Sequence, residues 1–102
     1  MDANNQLMRV ILHRQGTMGL KAQEALALLH LAALGGMQVT VSQTDLARRM
    51  NLSRRQVSQI IAALVQRGLL GATPTMRRDG GDGPNTYDLG AFLLACGEQG
   101  GP

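Results

Sequence analysis

The stretch that decides the fold is QTDLARRMNLSRRQVSQIIA, residues 43–62. Ser42 precedes it with Asp45 three positions later, and Ser53 lies inside it with Gln56 three positions later. Each is a Ser-x-x-(Asp/Gln) start, in which the serine oxygen and the third side chain satisfy free amides at a helix N-terminus. Two such starts eleven residues apart leave room for a short helix and a tight turn, which predicts a helix-turn-helix.

The apolar residues of this stretch recur at the spacing that two amphipathic helices require. The first helix is predicted over 43–50 and the second over 54–67. Asn51 occupies the turn, where a left-handed backbone favours glycine first and asparagine next. The small Ala47 permits the two helices to approach closely. The side chains that we expect to face inward are Leu46, Ala47, Met50, Leu52, Val57, Ile60, Ile61 and Leu64.

The flanking segments complete a mostly α fold with a small β-hairpin wing, an α+β winged helix-turn-helix. A Gly-Gly pair follows the alanine- and leucine-rich segment and is typical of a helix end. A run of Gly, Asp and Pro follows Met76 and is typical of a turn. We expect one winged-helix domain over 1–97, with the helix-turn-helix at 43–67, the wing at 69–89 and a flexible tail at 98–102. The remaining predicted elements are helices at 3–15 and 20–34, a strand at 37–41, strands at 69–75 and 86–89 around a loop at 77–84, and a helical turn at 90–96.

The positive charge of the chain is concentrated in one segment. Residues 46–78 contain seven arginines and no acidic residue, whereas the rest holds three basic residues against seven acidic ones. Such an asymmetry favours a polyanionic partner that meets one face. Nine of the ten basic residues are arginine, which can bond bidentately to phosphate and to guanine. The alternative is a basic surface that is only solvated.

The segment around Ala47, Asn51, Val57 and Ile60 resembles the helix-turn-helix of bacterial transcription regulators, with Asn51 in place of the usual turn glycine. The phrase LVQRGLLGATPTMRRDGGDGPNTYDL, residues 64–89, looks like the helix end and wing of winged-helix proteins. These include MarR-like regulators and plasmid or phage replication and partition proteins. The resemblance implies binding to double-stranded DNA.

The outer face of the second helix is the predicted reading surface. Arg55 and Gln59 are the expected base readers, while Arg54 and Ser58 are divided between bases and phosphates. The start of the first helix and the arginines of the first helix and the wing are expected to meet the DNA backbone. The predicted DNA-binding residues are Ser42, Gln43, Thr44, Arg48, Arg49, Ser53, Arg54, Arg55, Gln56, Ser58, Gln59, Arg77 and Arg78.

We expect a homodimer that forms through the apolar helices 3–15 and 20–34 and the segment 90–96. A chain of 102 residues buries a limited share of its surface alone, and helix 20–34 is apolar around most of its circumference. Two subunits would then present their recognition helices about 34 Å apart, one turn of DNA. Two other readings stay open: a replication or partition factor on DNA repeats, and an adaptor that binds proteins.

The sequence gives little support to other classes of protein. We expect no enzyme, cofactor or metal site, because no nucleophile–base set, phosphate-binding glycine motif or metal-ligand spacing occurs. The single cysteine, Cys96, excludes an intramolecular disulfide, and two aromatic residues are too few to stack single-stranded DNA. No apolar run reaches the length of a membrane span, and no export signal is recognised, so we expect a cytoplasmic protein.

Overall fold

The structure is a computed structural model that describes residues 3–74 and 85–96. The described part is mostly helical with a small antiparallel sheet, which confirms the predicted fold class. Every predicted helix and strand is present among the described residues, with bounds that shift by two residues at most, and the predicted tail at 98–102 lies outside these residues. The elements are α1 (Ala3–Arg14), α2 (Ala22–Gly35), β1 (Gln38–Val41), α3 (Gln43–Met50), α4 (Arg54–Gln66), β2 (Gly71–Pro74), β3 (Asn85–Asp88) and α5 (Gly90–Cys96).

The three strands pair antiparallel in the order β1-β3-β2. Tyr87 on the central strand lies opposite Val39 on one side and Ala72 on the other, and it is completely buried. Strands β2 and β3, the predicted strands of the wing, pair antiparallel with Ala72 opposite Tyr87. The predicted wing loop, 77–84, and its residues Arg77 and Arg78 lie outside the described residues.

Helix α2 lies at the centre of the fold and contacts α1, α3, α4 and β1. Its residues Ala27, Leu28 and Leu31 have no solvent exposure, because neighbours cover them on several sides. The helix is not buried all round, however: Leu26 is 42% exposed. The other fully buried large side chains include Ile11 of α1, Leu46 of α3, Val57 and Leu64 of α4, and Phe92 of α5.

The turn between α3 and α4 has the geometry that the sequence predicts. Asn51 adopts a left-handed conformation with φ 58° and ψ 42°. The amide of Leu52 donates to the carbonyl of Ala47 at 2.9 Å, so the last turn of α3 is closed by a Schellman-type bond. The residues expected to face inward from the two helices are all buried, and Leu52 packs partly buried against the same core.

Helix α4 ends with the same type of closure, and this explains where β2 begins. Gly68 has φ 75°, and the amide of Leu69 donates to the carbonyl of Leu64 at 2.9 Å. Because that amide is already bonded at the helix end, Leu69 does not join the sheet. Its side chain is buried in the core. The strand predicted from residue 69 therefore starts at Gly71.

The positive φ of Gly68 can be tested against a glycine that lacks this feature. A Cβ at Gly68 or at Gly16 would meet nothing within 4 Å, but only Gly68 has a left-handed φ. We expect Gly68→Ala to lower the free energy of unfolding by about 1–2 kcal/mol through backbone strain. Gly16→Ala should leave it unchanged or raise it by about 0.5 kcal/mol, because the unfolded chain loses freedom. Urea denaturation measures both, and equal effects would contradict the assignment.

Candidate nucleic-acid interface

The first turn of α4 is fixed by a complete capping box. The hydroxyl of Ser53 accepts a hydrogen bond from the amide of Gln56 at 3.1 Å. In return the amide of Ser53 donates to Oε1 of Gln56 at 2.9 Å. This confirms the predicted start of the helix and gives both side chains a structural task. Their predicted contact with DNA remains a prediction.

The start of α3 has only half of the predicted box. The hydroxyl of Ser42 accepts from the amide of Asp45 at 3.0 Å, as expected of an N-cap. The carboxylate of Asp45 instead accepts a hydrogen bond from Nη1 of Arg48 at 3.3 Å. A neighbouring arginine one turn along offers the carboxylate a charged donor, so it faces along the helix and not back towards Ser42.

Five of the predicted contact residues meet at one place on the surface. Gln43 at the start of α3 and four residues of α4 line a single open depression, which we call the recognition depression. The α4 side chains around it are exposed, whereas Val57, Ile60, Ile61 and Leu64 on the opposite side of the same helix are buried. The recognition depression is lined by Gln43, Arg54, Arg55, Ser58 and Gln59.

The other predicted residues of α3 and its N-cap do not line the recognition depression. Thr44 is exposed in the first turn of α3. The side chain of Arg48 is 76% exposed in its ion pair with Asp45, a pair that solvent screens. Ser42 and Arg49 line a separate depression against β1.

One arginine of the basic segment, Arg67, is paired with a buried acidic residue, although its own side chain is 39% exposed. Nη1 of Arg67 lies 3.1 Å from Oε1 of Glu24, whose side chain is only 8% exposed. The guanidinium also donates to the carbonyls of Met18 and Gly19 in the turn before α2. Its charge is therefore offset by a buried carboxylate, and Arg67 joins the end of α4 to the start of α2.

Sequence reasoning missed two polar features beside α4. A second open depression, which we call the α2 depression, lies between the start of α2 and α4, and its polar rim includes Lys21, Gln23, Gln56 and Gln59. The Glu24–Arg67 pair was also missed. The sequence did contain a signal for this pair, because Glu24 is the one acidic residue of a largely apolar helix. A carboxylate that is buried there requires a partner.

Metal binding and membrane insertion find no support in the described part of the chain. Across residues 3–74 and 85–96, no three His, Cys, Asp or Glu side chains come together as metal ligands would. None of the helices in the same ranges combines the length and the apolar character needed to cross a membrane.

Comparison with known proteins assigns the chain to a family. The model of the MarR family matches residues 18–82, which contain the helix-turn-helix, β1, β2 and the central helix α2. This match covers more than half of the chain and includes the recognition depression. No curated protein sequence and no solved structure gave a match.

The two ion pairs offer a matched test of how burial changes the contribution of a salt bridge. We expect Arg67→Met to lower the free energy of unfolding by about 2 kcal/mol, because it leaves the Glu24 carboxylate buried without its charged partner. Arg48→Met should cost about 0.5 kcal/mol or less, since both partners are exposed. Chemical denaturation measures the two variants. A smaller loss in Arg67→Met combined with Glu24→Gln than the sum of the single losses would confirm the coupling.

Proposed function

The chain belongs to the MarR family, and from this premise we propose that it is a sequence-specific transcriptional regulator that binds double-stranded DNA as a homodimer in the bacterial cytoplasm. MarR proteins are DNA-binding regulators, not enzymes, and non-enzymatic binding is the activity that we assign here. The observation that carries the proposal is the recognition depression, where arginine, glutamine and serine side chains meet on the exposed side of α4.

The residues of the depression have the chemistry that base recognition requires. Arg55 can donate two hydrogen bonds to guanine, and Gln59 can pair with adenine. Arg54 and Ser58 border the same depression and can contact either bases or phosphates. The capping box holds the backbone of the first turn of α4, which sets where the side chains of Arg54 and Arg55 leave the helix.

Backbone contacts would come from the start of α3 and from the arginines around it. Gln43 and Thr44 lie in its first turn beside amides that favour an anion. Arg48 and Arg49 are exposed further along the helix and add positive charge. The wing arginines, Arg77 and Arg78, are proposed as further contacts from their position in the sequence.

The proposed dimer is supported by exposed leucines on the three elements that were expected to form it. Leu12 of α1 is 51% exposed, Leu26 of α2 is 42% exposed and Leu94 of α5 is 60% exposed. Apolar side chains of this size lose solvent contact favourably when a second subunit covers them. The homodimer would supply the two recognition helices that a two-fold symmetric site requires.

Charge reversal at the recognition depression tests the DNA-binding role. We expect Arg55→Glu to weaken binding to a duplex selected from random DNA by about 5- to 150-fold, the range of a lost bidentate pair. The substitution places an acidic residue in the first turn of α4, where it is compatible with the helix. Fluorescence anisotropy at several salt concentrations measures the affinity.

The matched control is Arg9→Glu, which makes the same change of charge on an exposed residue of α1, and sedimentation first verifies that this variant keeps the oligomeric state of the unsubstituted protein. Its effect should stay within about threefold, because long-range charge effects are screened in salt. If Arg55→Glu binds every duplex as tightly as the unsubstituted protein, the adaptor reading is favoured and the DNA-binding proposal is wrong.

The dimer is tested by placing a charge on its proposed surface. We expect the unsubstituted protein to sediment as a dimer at micromolar concentration. Leu94→Glu should shift it towards monomer, because a desolvated carboxylate at an apolar interface is costly. Val65→Glu alters another exposed apolar side chain, 41% exposed and on α4, and should leave the dimer intact. A monomeric unsubstituted protein would contradict this part of the proposal.

A further inference from the structure

The recognition depression does not end on α4, because Gln59 also lines the α2 depression. The two depressions are therefore neighbours that share one side chain. We propose that Lys21 and Gln23 in the α2 depression form a phosphate-binding subsite for the DNA backbone. This inference rests on the proposed DNA-binding function and adds two contact residues from an element outside the helix-turn-helix.

The directions of the α4 side chains place the two depressions on opposite flanks of the helix. Successive residues of an α-helix are rotated by about 100°, so Ser58 and Gln56 point about 160° apart. Ser58 lies on the flank next to Gln43 of α3, whereas Gln56 lies on the flank next to Lys21 of α2. Gln59 projects between these two directions, which is why it borders both depressions.

This arrangement matches the shape of the DNA major groove. The groove is about 12 Å wide, and a helix with its side chains is about 10–12 Å across, so a recognition helix fills the groove between two phosphate backbones. The start of α3 then lies beside one backbone. The start of α2, on the other flank of α4, lies beside the second backbone, where Lys21 and Gln23 can reach its phosphates.

The charges around the α2 depression suit an anion. Glu24 also lines it, but its carboxylate is buried and accepts hydrogen bonds from the Lys21 amide at 2.9 Å and from Nη1 of Arg67 at 3.1 Å. Its negative charge is thus offset inside the protein. The ammonium group of Lys21, the one lysine of the sequence, belongs to an exposed residue and provides a compact positive charge of the kind that binds phosphate.

The side chains within the α2 depression differ in how free they are to bind. Oε1 of Gln56 is engaged in the capping box of α4. Gln59 is assigned to base recognition in the neighbouring depression. The phosphate contact is therefore assigned to Lys21 as the charged donor and to Gln23, an exposed residue of the first turn of α2, as the neutral donor.

The test compares Lys21→Gln with Arg9→Gln, two changes that each remove one positive charge from an exposed residue. Because Arg9 lies on α1, an element of the proposed dimer surface, sedimentation first verifies that both variants keep the oligomeric state of the unsubstituted protein. We expect Lys21→Gln to weaken binding about three- to tenfold, equally for a selected duplex and for random duplex DNA, because a phosphate contact carries no sequence information. The slope of log affinity against log salt should decrease in magnitude by about 0.9, the value for one phosphate contact. Arg9→Gln should leave the slope unchanged.

Two results would overturn the inference about Lys21, and a third would overturn the proposed DNA-binding function. If Lys21→Gln and Arg9→Gln have the same slope as the unsubstituted protein, Lys21 binds no phosphate and the inference is overturned. If Lys21→Gln lowers affinity for the selected duplex alone, Lys21 reads bases and the phosphate assignment is wrong. If selection from random DNA enriches no duplex and the unsubstituted protein does not bind random duplex DNA, the proposed DNA-binding function itself fails. Circular dichroism of each variant verifies that it is folded.

Discussion

The left-handed turn at Asn51 is the constraint on which the recognition surface depends. Its positive φ ends α3, and the bond from the Leu52 amide to the Ala47 carbonyl closes the last turn of that helix. The following capping box starts α4 at once. With so little chain between the two helices, their relative orientation is set locally, and the side chains that face the core and those that face solvent are separated from the first turn onwards.

The features that could be predicted from the sequence are those that depend on neighbours in the chain. The caps at Ser42 and Ser53 and the turn at Asn51 involve residues three to five positions apart, and the inward stripe of α4 follows from helical periodicity alone. The one incorrect detail, the capping box at Ser42, is also local. Asp45 pairs with Arg48, three positions along the helix, and not with the amide of Ser42.

The features that could not be predicted depend on residues that are distant in the chain. Glu24 and Arg67 are 43 positions apart, so their pairing is visible only once α2 packs beside α4. Lys21 reaches the side of α4 by the same packing. The charge count along the segment therefore included neither the neutralisation of Arg67 by Glu24 nor the position of Lys21 beside α4. A sum of charges along a segment describes the surface only where the fold brings no charge from elsewhere in the chain.

Residues that we assign to DNA recognition alternate along α4 with residues that pack in the core, and this restricts how the surface can change. Arg55, Ser58 and Gln59 are exposed, while Val57, Ile60 and Ile61 between and beside them are buried. Exposed residues can be exchanged without opening the core, so a new DNA specificity is compatible with the same fold. An insertion of one residue would rotate everything after it by about 100° and bring polar side chains towards the core. The helix can therefore alter its DNA contacts by substitution, whereas a change of length would disturb both the contacts and the packing that presents them.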